Sequence, residues 1–134
     1  MANGGWYGTR EEWERIEKPL LDVESIIEEF VEEFSLTMSK NHKGWPEWSI
    51  VWGQEVRCLI QLYLADKNLL TFNLWLCAYE DRGSKRYWKQ ETPIKQKQVS
   101  EFQDDLACQL RAGRKQLLDW SDNKDQLELS TKLG

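Results

Sequence analysis

The chain has 134 residues, the size of one ordinary domain, and its 40% hydrophobic and 31% charged content is too apolar for intrinsic disorder. No apolar run approaches the ~18 residues needed to span a bilayer, so a membrane is not an expected partner. The net charge of -5 argues against duplex nucleic acid as a partner, since phosphate binding is driven by clustered Lys and Arg.

Cys58, Cys77 and Cys108 are an odd number of widely spaced cysteines in apolar-patterned segments. Disulfide frameworks and zinc sites use paired, closely spaced ligands, so the expectation is reduced thiols and no metal or other cofactor. Met1 to Gly8 has neither a basic start nor an apolar stretch. With no secretory signal in view, a cytoplasmic location is the default expectation.

In chain order, Thr9 and Glu12 have the spacing of a helix-initiating capping box. Trp13, Ile16, Leu20, Val23, Ile27, Phe30 and Phe34 then recur every three or four residues, which places them on one helical stripe. Pro19 interrupts this stripe, and proline both removes a donor and clashes with the preceding turn. The pattern therefore predicts a kink or two consecutive helices broken near Lys18, with Asp22 as a second cap.

The period then changes to two. Leu36 and Met38 alternate with polar residues; Trp48, Ile50 and Trp52 alternate with Ser49 and Val51. Cys58, Ile60, Leu62 and Leu64 share one face of the next strand, and Leu70, Phe72, Leu74, Leu76 and Ala78 one face of the strand after. Gly53–Gln54, Asp66–Asn68 and Asp81–Ser84 supply turn chemistry, and 85–91 can form one more strand before Pro93 ends the sheet. Ser100 and Gln103 repeat the capping-box spacing ahead of a second helix, with Val99, Phe102, Leu106, Leu110, Leu117 and Trp120 on one side. Gly113 falls on that same side, where it permits close packing. Leu127 and Leu129 alternate and could add a short strand.

The expected fold is α+β: an antiparallel four- to five-stranded meander with N-terminal and C-terminal helices packed on one face. One domain covers 1–134, with 1–8 and 121–134 as flexible ends. Two helices leave the reverse of such a sheet without an obvious cover.

That reverse face is the leading candidate for function. Arg57, Leu59, Gln61, Tyr63, Thr71, Asn73, Trp75 and Tyr79 mix apolar bodies with hydrogen-bonding tips, a composition typical of recognition surfaces. Eight tryptophans in the chain, each with a large apolar area and one N–H, suit a core or an interface. Trp45 and Trp48, in the loop and strand around Pro46, join the candidate binding set. A second candidate is the basic run Arg82, Lys85, Arg86 and Lys89, which could hold an anion, act as a protected edge strand or pair with the acidic first helix. With one histidine in the chain, no Ser-His-Asp, Cys-His or HExxH arrangement can be spelled out. The reading that follows is an interaction module, chaperone-like or immunity-like in architecture, with a protein partner or homodimer. The alternative is a small-molecule domain or enzyme with an aromatic pocket of Trp45, Trp48, Trp75 and Tyr79.

Overall fold

The first helical stripe forms a single helix, α1 (Arg10–Glu33), in the computed structural model, which describes residues 10–41 and 46–129. Thr9 lies outside the described residues, as do the side chains of Glu12, Trp13 and Ile16. Contrary to the expected break near Lys18, Pro19 sits inside α1, and Asp22 makes no second cap but pairs with Lys18 at 3.3 Å. An internal proline costs about 3 kcal/mol. Leu20, Val23, Ile27 and Phe30 are all buried, and burying each such side chain returns about 1.5–3 kcal/mol. Continuity of the buried stripe outweighs the proline.

Six strands follow rather than four or five, in one antiparallel sheet whose spatial order is the chain order: β1 (Met38–Lys40), β2 (Glu47–Trp52), β3 (Arg57–Asp66), β4 (Thr71–Arg82), β5 (Lys85–Gln98) and β6 (Glu128–Leu129). β1 and β6 are too short to carry a strong alternation of their own. Both exist by pairing: Met38 opposes Ile50, and Glu128 opposes Trp88.

Pro93 does not end the sheet, because β5 continues through it to Gln98. The register explains the tolerance. Leu74 pairs with Ile94 and Leu76 with Glu91, so β5 carries an extra residue around Thr92 and Pro93. A second irregularity separates Ile94 from Lys97, where Gln96 adopts φ +53. Proline is accepted at bulges and at sheet edges, and β5 offers both, since β6 pairs only with Tyr87 and Trp88. The rest of its outer edge carries Lys89, Pro93, Lys95 and Lys97, side chains that discourage edge-to-edge pairing.

The second helical segment starts two residues before the Ser100–Gln103 pair. Gln98 is its N-cap, and the Gln98 amide donates to Glu101 Oε2 at 2.8 Å. One turn, α2 (Val99–Phe102), and a 3₁₀ turn (Gln103–Asp105) lead into α3 (Leu106–Asp122), where Leu106, Leu110, Gly113, Leu117 and Trp120 are buried. Gly113 lets α3 approach the sheet closely: a Cβ there would lie 2.9 Å from Leu76 Cδ2. Of the terminal stretch 121–134, residues 121–129 form the end of α3, a 3₁₀ turn (Lys124–Gln126) and β6.

The helices pack on the sheet face carrying Trp48, Ile50, Cys58, Ile60, Leu62, Leu64, Phe72, Leu74, Leu76 and Ala78, all buried in one core with the helical stripes. The ring centroids of Phe72 and Phe102 are 6.1 Å apart, and the Cys58 thiol donates to the Leu117 carbonyl at 3.8 Å. Glu33–Arg111 at 2.8 Å ties α1 to α3, and Arg114 lies 4.1 Å over the ring of Phe34, the residue that follows α1.

Candidate binding surface

Directly opposed residues of antiparallel strands share a face, so the register defines what lies on the other side of the sheet. Val51, Leu59, Cys77 and Gln90 form one row across β2 to β5, and Arg57, Tyr79 and Trp88 another. Ser49, Gln61 and Trp75 form a third row, and Glu47, Tyr63 and Asn73 a fourth. Among the described residues no helix covers this side. Of the side chains in these four rows only Cys77 is buried, and Leu59, Gln61, Tyr63, Asn73, Trp75, Tyr79 and Trp88 are half-buried.

Several polar tips on this face are paired with one another. The Trp75 indole N–H donates to Gln90 Oε1 at 2.8 Å. Asn73 Nδ2 donates to the Tyr63 hydroxyl at 3.1 Å, and Asn73 Oδ1 accepts from the Gln96 amide at 2.8 Å, so the second bulge of β5 holds this side chain in place. Gln61 Nε2 donates to Ser49 Oγ at 3.4 Å. Arg86 lies 4.2 Å over the Tyr79 ring while donating to both carboxylate oxygens of Asp81 at 2.7 and 3.1 Å. That bidentate pair holds the Asp81 carboxyl below its ordinary range. Hydrogen bonds that fix ring orientations before a partner arrives reduce the ordering cost of binding.

The structure sorts the sequence candidates. Trp75, Tyr63, Gln61, Asn73 and Tyr79 stand on this face; Arg57 is there too but turns to donate to the Gly53 carbonyl at 2.7 Å. Trp48 does not belong with them. It is buried on the helix side, where its indole N–H donates to Glu24 Oε1 at 2.9 Å, because its even-numbered position in β2 shares the parity of Ile50. A pocket uniting Trp48 with Trp75 and Tyr79 is therefore ruled out by the sheet between them. Trp45, in the same proposed pocket, lies outside the described residues.

The basic quartet is also split. Arg86 points to the open face, whereas Arg82, Lys85 and Lys89 fall on the opposite parity with Tyr87. Arg82 pairs with Glu80 and stacks 4.3 Å over the Tyr87 ring, and Lys124 reaches Glu80 at 3.4 Å. These contacts lower the Glu80 carboxyl pKa, the Arg82 hydrogen bond most of all. Partners for the two arginines come from neighbouring strand residues and, for Arg82, also from the Lys124 carbonyl at 3.1 Å, not from the acidic α1.

Trp88 and Gln90 belong to the open face but escaped the sequence-based set. The alternation of Lys85 to Glu91 contained the signal; assigning its parity required the pairing of Tyr79 with Trp88. Thr71, although its parity in β4 matches Asn73, is buried and donates to Gln96 Oε1 at 2.8 Å.

Among the described residues, no three His, Cys, Asp or Glu side chains are grouped to hold a metal, and no helix is long and apolar enough to cross a membrane. The fold and surface thus define an α+β protein with a helix-backed antiparallel sheet and an aromatic reverse face. Comparison with family models, curated proteins and solved structures finds no match for the chain.

Proposed function

We propose that this protein is a protein-interaction module that docks a partner protein on the open face of its sheet. The observation that carries the reading is the band of half-exposed rings, Tyr63, Trp75, Tyr79 and Trp88, in which Trp75 and Tyr63 are hydrogen-bonded within the face and Tyr79 lies under the Arg86 guanidinium. Such a surface offers apolar ring bodies, two of them hydrogen-bonded in place, to a partner. Tyr, Trp and Arg are the residue types that dominate interface energetics.

The dimensions agree with this use. Four adjacent long strands spaced about 4.8 Å apart, and strands about 30 Å in length, present about 600 Å². An ordinary protein complex buries about 800 Å² per partner. Charge on the face is mixed, with Arg57 and Arg86 against Glu47 and Asp81, which favours neither a strongly basic nor a strongly acidic partner. The free thiols of Cys58, Cys77 and Cys108 fit a reducing, cytoplasmic setting.

Photo-crosslinking inside the source cell tests the proposal, with the reactive residue placed at Trp75 or Gln61 and, as controls, at Leu21 and Glu29 on α1. The expected result is one discrete adduct from the sheet positions only. Its purified partner should then bind the native chain and lose at least tenfold in affinity to Trp75→Ala. A second copy of this chain in the adduct would identify the partner as a homodimer. Adducts arising equally from the α1 controls, or none from the sheet, would overturn the reading.

A further inference from the structure

On the helix side, away from the open face, a hollow of about 230 Å³ lies between α1, the β3–β4 turn and the start of α2. Pro19, Leu20, Leu70, Phe72 and Val99 supply apolar walls, and Arg15 is the only charged side chain in the lining among the described residues. Arg15 is exposed and forms no ion pair among the described residues. The hollow is smaller than the 300–1,000 Å³ of drug-sized sites, yet exceeds the roughly 150 Å³ that accommodates a benzene ring.

The wall on the β3–β4 side is built against local preference. Asp66 Oδ1 accepts from the amides of Asn68 and Leu69 at 2.8 and 3.0 Å, which shapes the turn. The chain then places Leu70 at φ +53, a conformation ordinary for glycine or asparagine and strained for a branched side chain. Gln98 Nε2 clamps this turn by donating to the Leu69 carbonyl at 3.0 Å. The strained leucine supplies a wall of the hollow, and its neighbour Leu69 stays 60% exposed. Backbone outliers held in place by their surroundings cluster at ligand clamps and switch regions.

We infer that this hollow binds a compact apolar carboxylate, one ring or a short aliphatic chain, with its acid group at Arg15. A second hollow of about 150 Å³ beside Phe102 supplies the contrast, since Glu101 and Asp105 outnumber Lys97 in its lining and oppose an anion. The first has a cation and, among the described residues, no carboxylate.

The test is a titration of the ¹⁵N-labelled full chain with phenylacetate and octanoate and with their neutral amides, followed by amide chemical shifts. Saturable shifts at Leu20, Leu70 and Val99 are expected, with the acids favoured about two- to fivefold over the amides, the scale of an exposed ion pair. Arg15→Gln, a surface change that leaves the walls intact, should erase that preference while amide binding persists. Leu70→Gly should relieve the backbone strain and keep the fold while weakening all four probes. Absence of saturable shifts, shifts confined to Tyr63, Trp75 and Tyr79, or an acid preference that survives Arg15→Gln would each overturn the inference.

Discussion

Trp48 and Glu24 are joined across the interface between sheet and helix: the indole N–H of Trp48 donates to the Glu24 carboxylate at 2.9 Å, and Glu24 also accepts from Lys40 Nζ at 3.1 Å. One carboxylate thus satisfies the only polar atom of a buried ring and ties α1 to both β1 and β2. Glu24→Ala removes an acceptor from a desolvated donor, which costs about 1–3 kcal/mol. Urea unfolding should show that loss, and Lys40→Ala, which leaves the indole bond in place, should cost less.

Two tryptophans on opposite faces of one sheet have opposite duties. Trp48→Ala empties a core site and should destabilise by about 3–5 kcal/mol. Trp75→Ala removes a half-exposed ring that contributes no wall to the core, so its cost should stay near about 1 kcal/mol, the typical scale of a single substitution. Denaturant midpoints of the two variants check the contrast. Equal losses would mean that the open face is part of the packing.

Glu80 gives the fold a specific acid sensitivity. Its carboxyl is only 12% exposed and its pKa is lowered from 4.5, first by the Arg82 hydrogen bond and then by Lys124. A depressed folded-state pKa means that the unfolded chain binds this proton more readily. The associated stability is therefore present above about pH 4.5 and is lost as pH falls through the folded value. Urea midpoints between pH 6 and pH 3 should fall for the native chain and fall less steeply for Glu80→Gln. Asp81, lowered by Arg86, contributes to the slope that remains.

The thiols should differ sharply in reactivity. Burial pushes both Cys58 and Cys77 up to about 11, whereas Cys108 is exposed on α3. The thiolate is the nucleophile. Titration with a thiol reagent near neutral pH should modify Cys108 rapidly, and the other two only on unfolding. Cys108→Ser should remove the fast phase.

Gly53 follows β2 at φ +95, and a Cβ there would collide with the Val56 carbonyl oxygen. Both the dihedral and the contact are backbone features that no rotamer change relieves. Gly53→Ala should therefore cost more than about 1 kcal/mol, and thermal unfolding reads the loss directly. Gly83, with φ +66 and nothing within 4 Å of where a Cβ would stand, should tolerate alanine better.

Much of this molecule can be read from spacing alone. The stripe Leu20, Val23, Ile27 and Phe30 and the alternation Cys58, Ile60, Leu62 and Leu64 identify their buried sides because apolar periodicity is imposed by the geometry of helix and strand. From those parities the reverse-face set Gln61, Tyr63, Asn73, Trp75 and Tyr79 follows directly. Other features answer to partners distant in the chain. Pro19 stays helical because the stripe on either side of it is buried together. Pro93 stays in a strand because β5 bulges against β4, and β6 exists because Trp88 and Tyr87 are there to pair with it. Trp48 went to the core and Trp88 to the open surface although both are tryptophans in polar-flanked strands. Local pattern specifies which residues share a side; cross-strand register and helix docking specify which side meets water, because those energies come from neighbours that adjacency in the chain does not reveal.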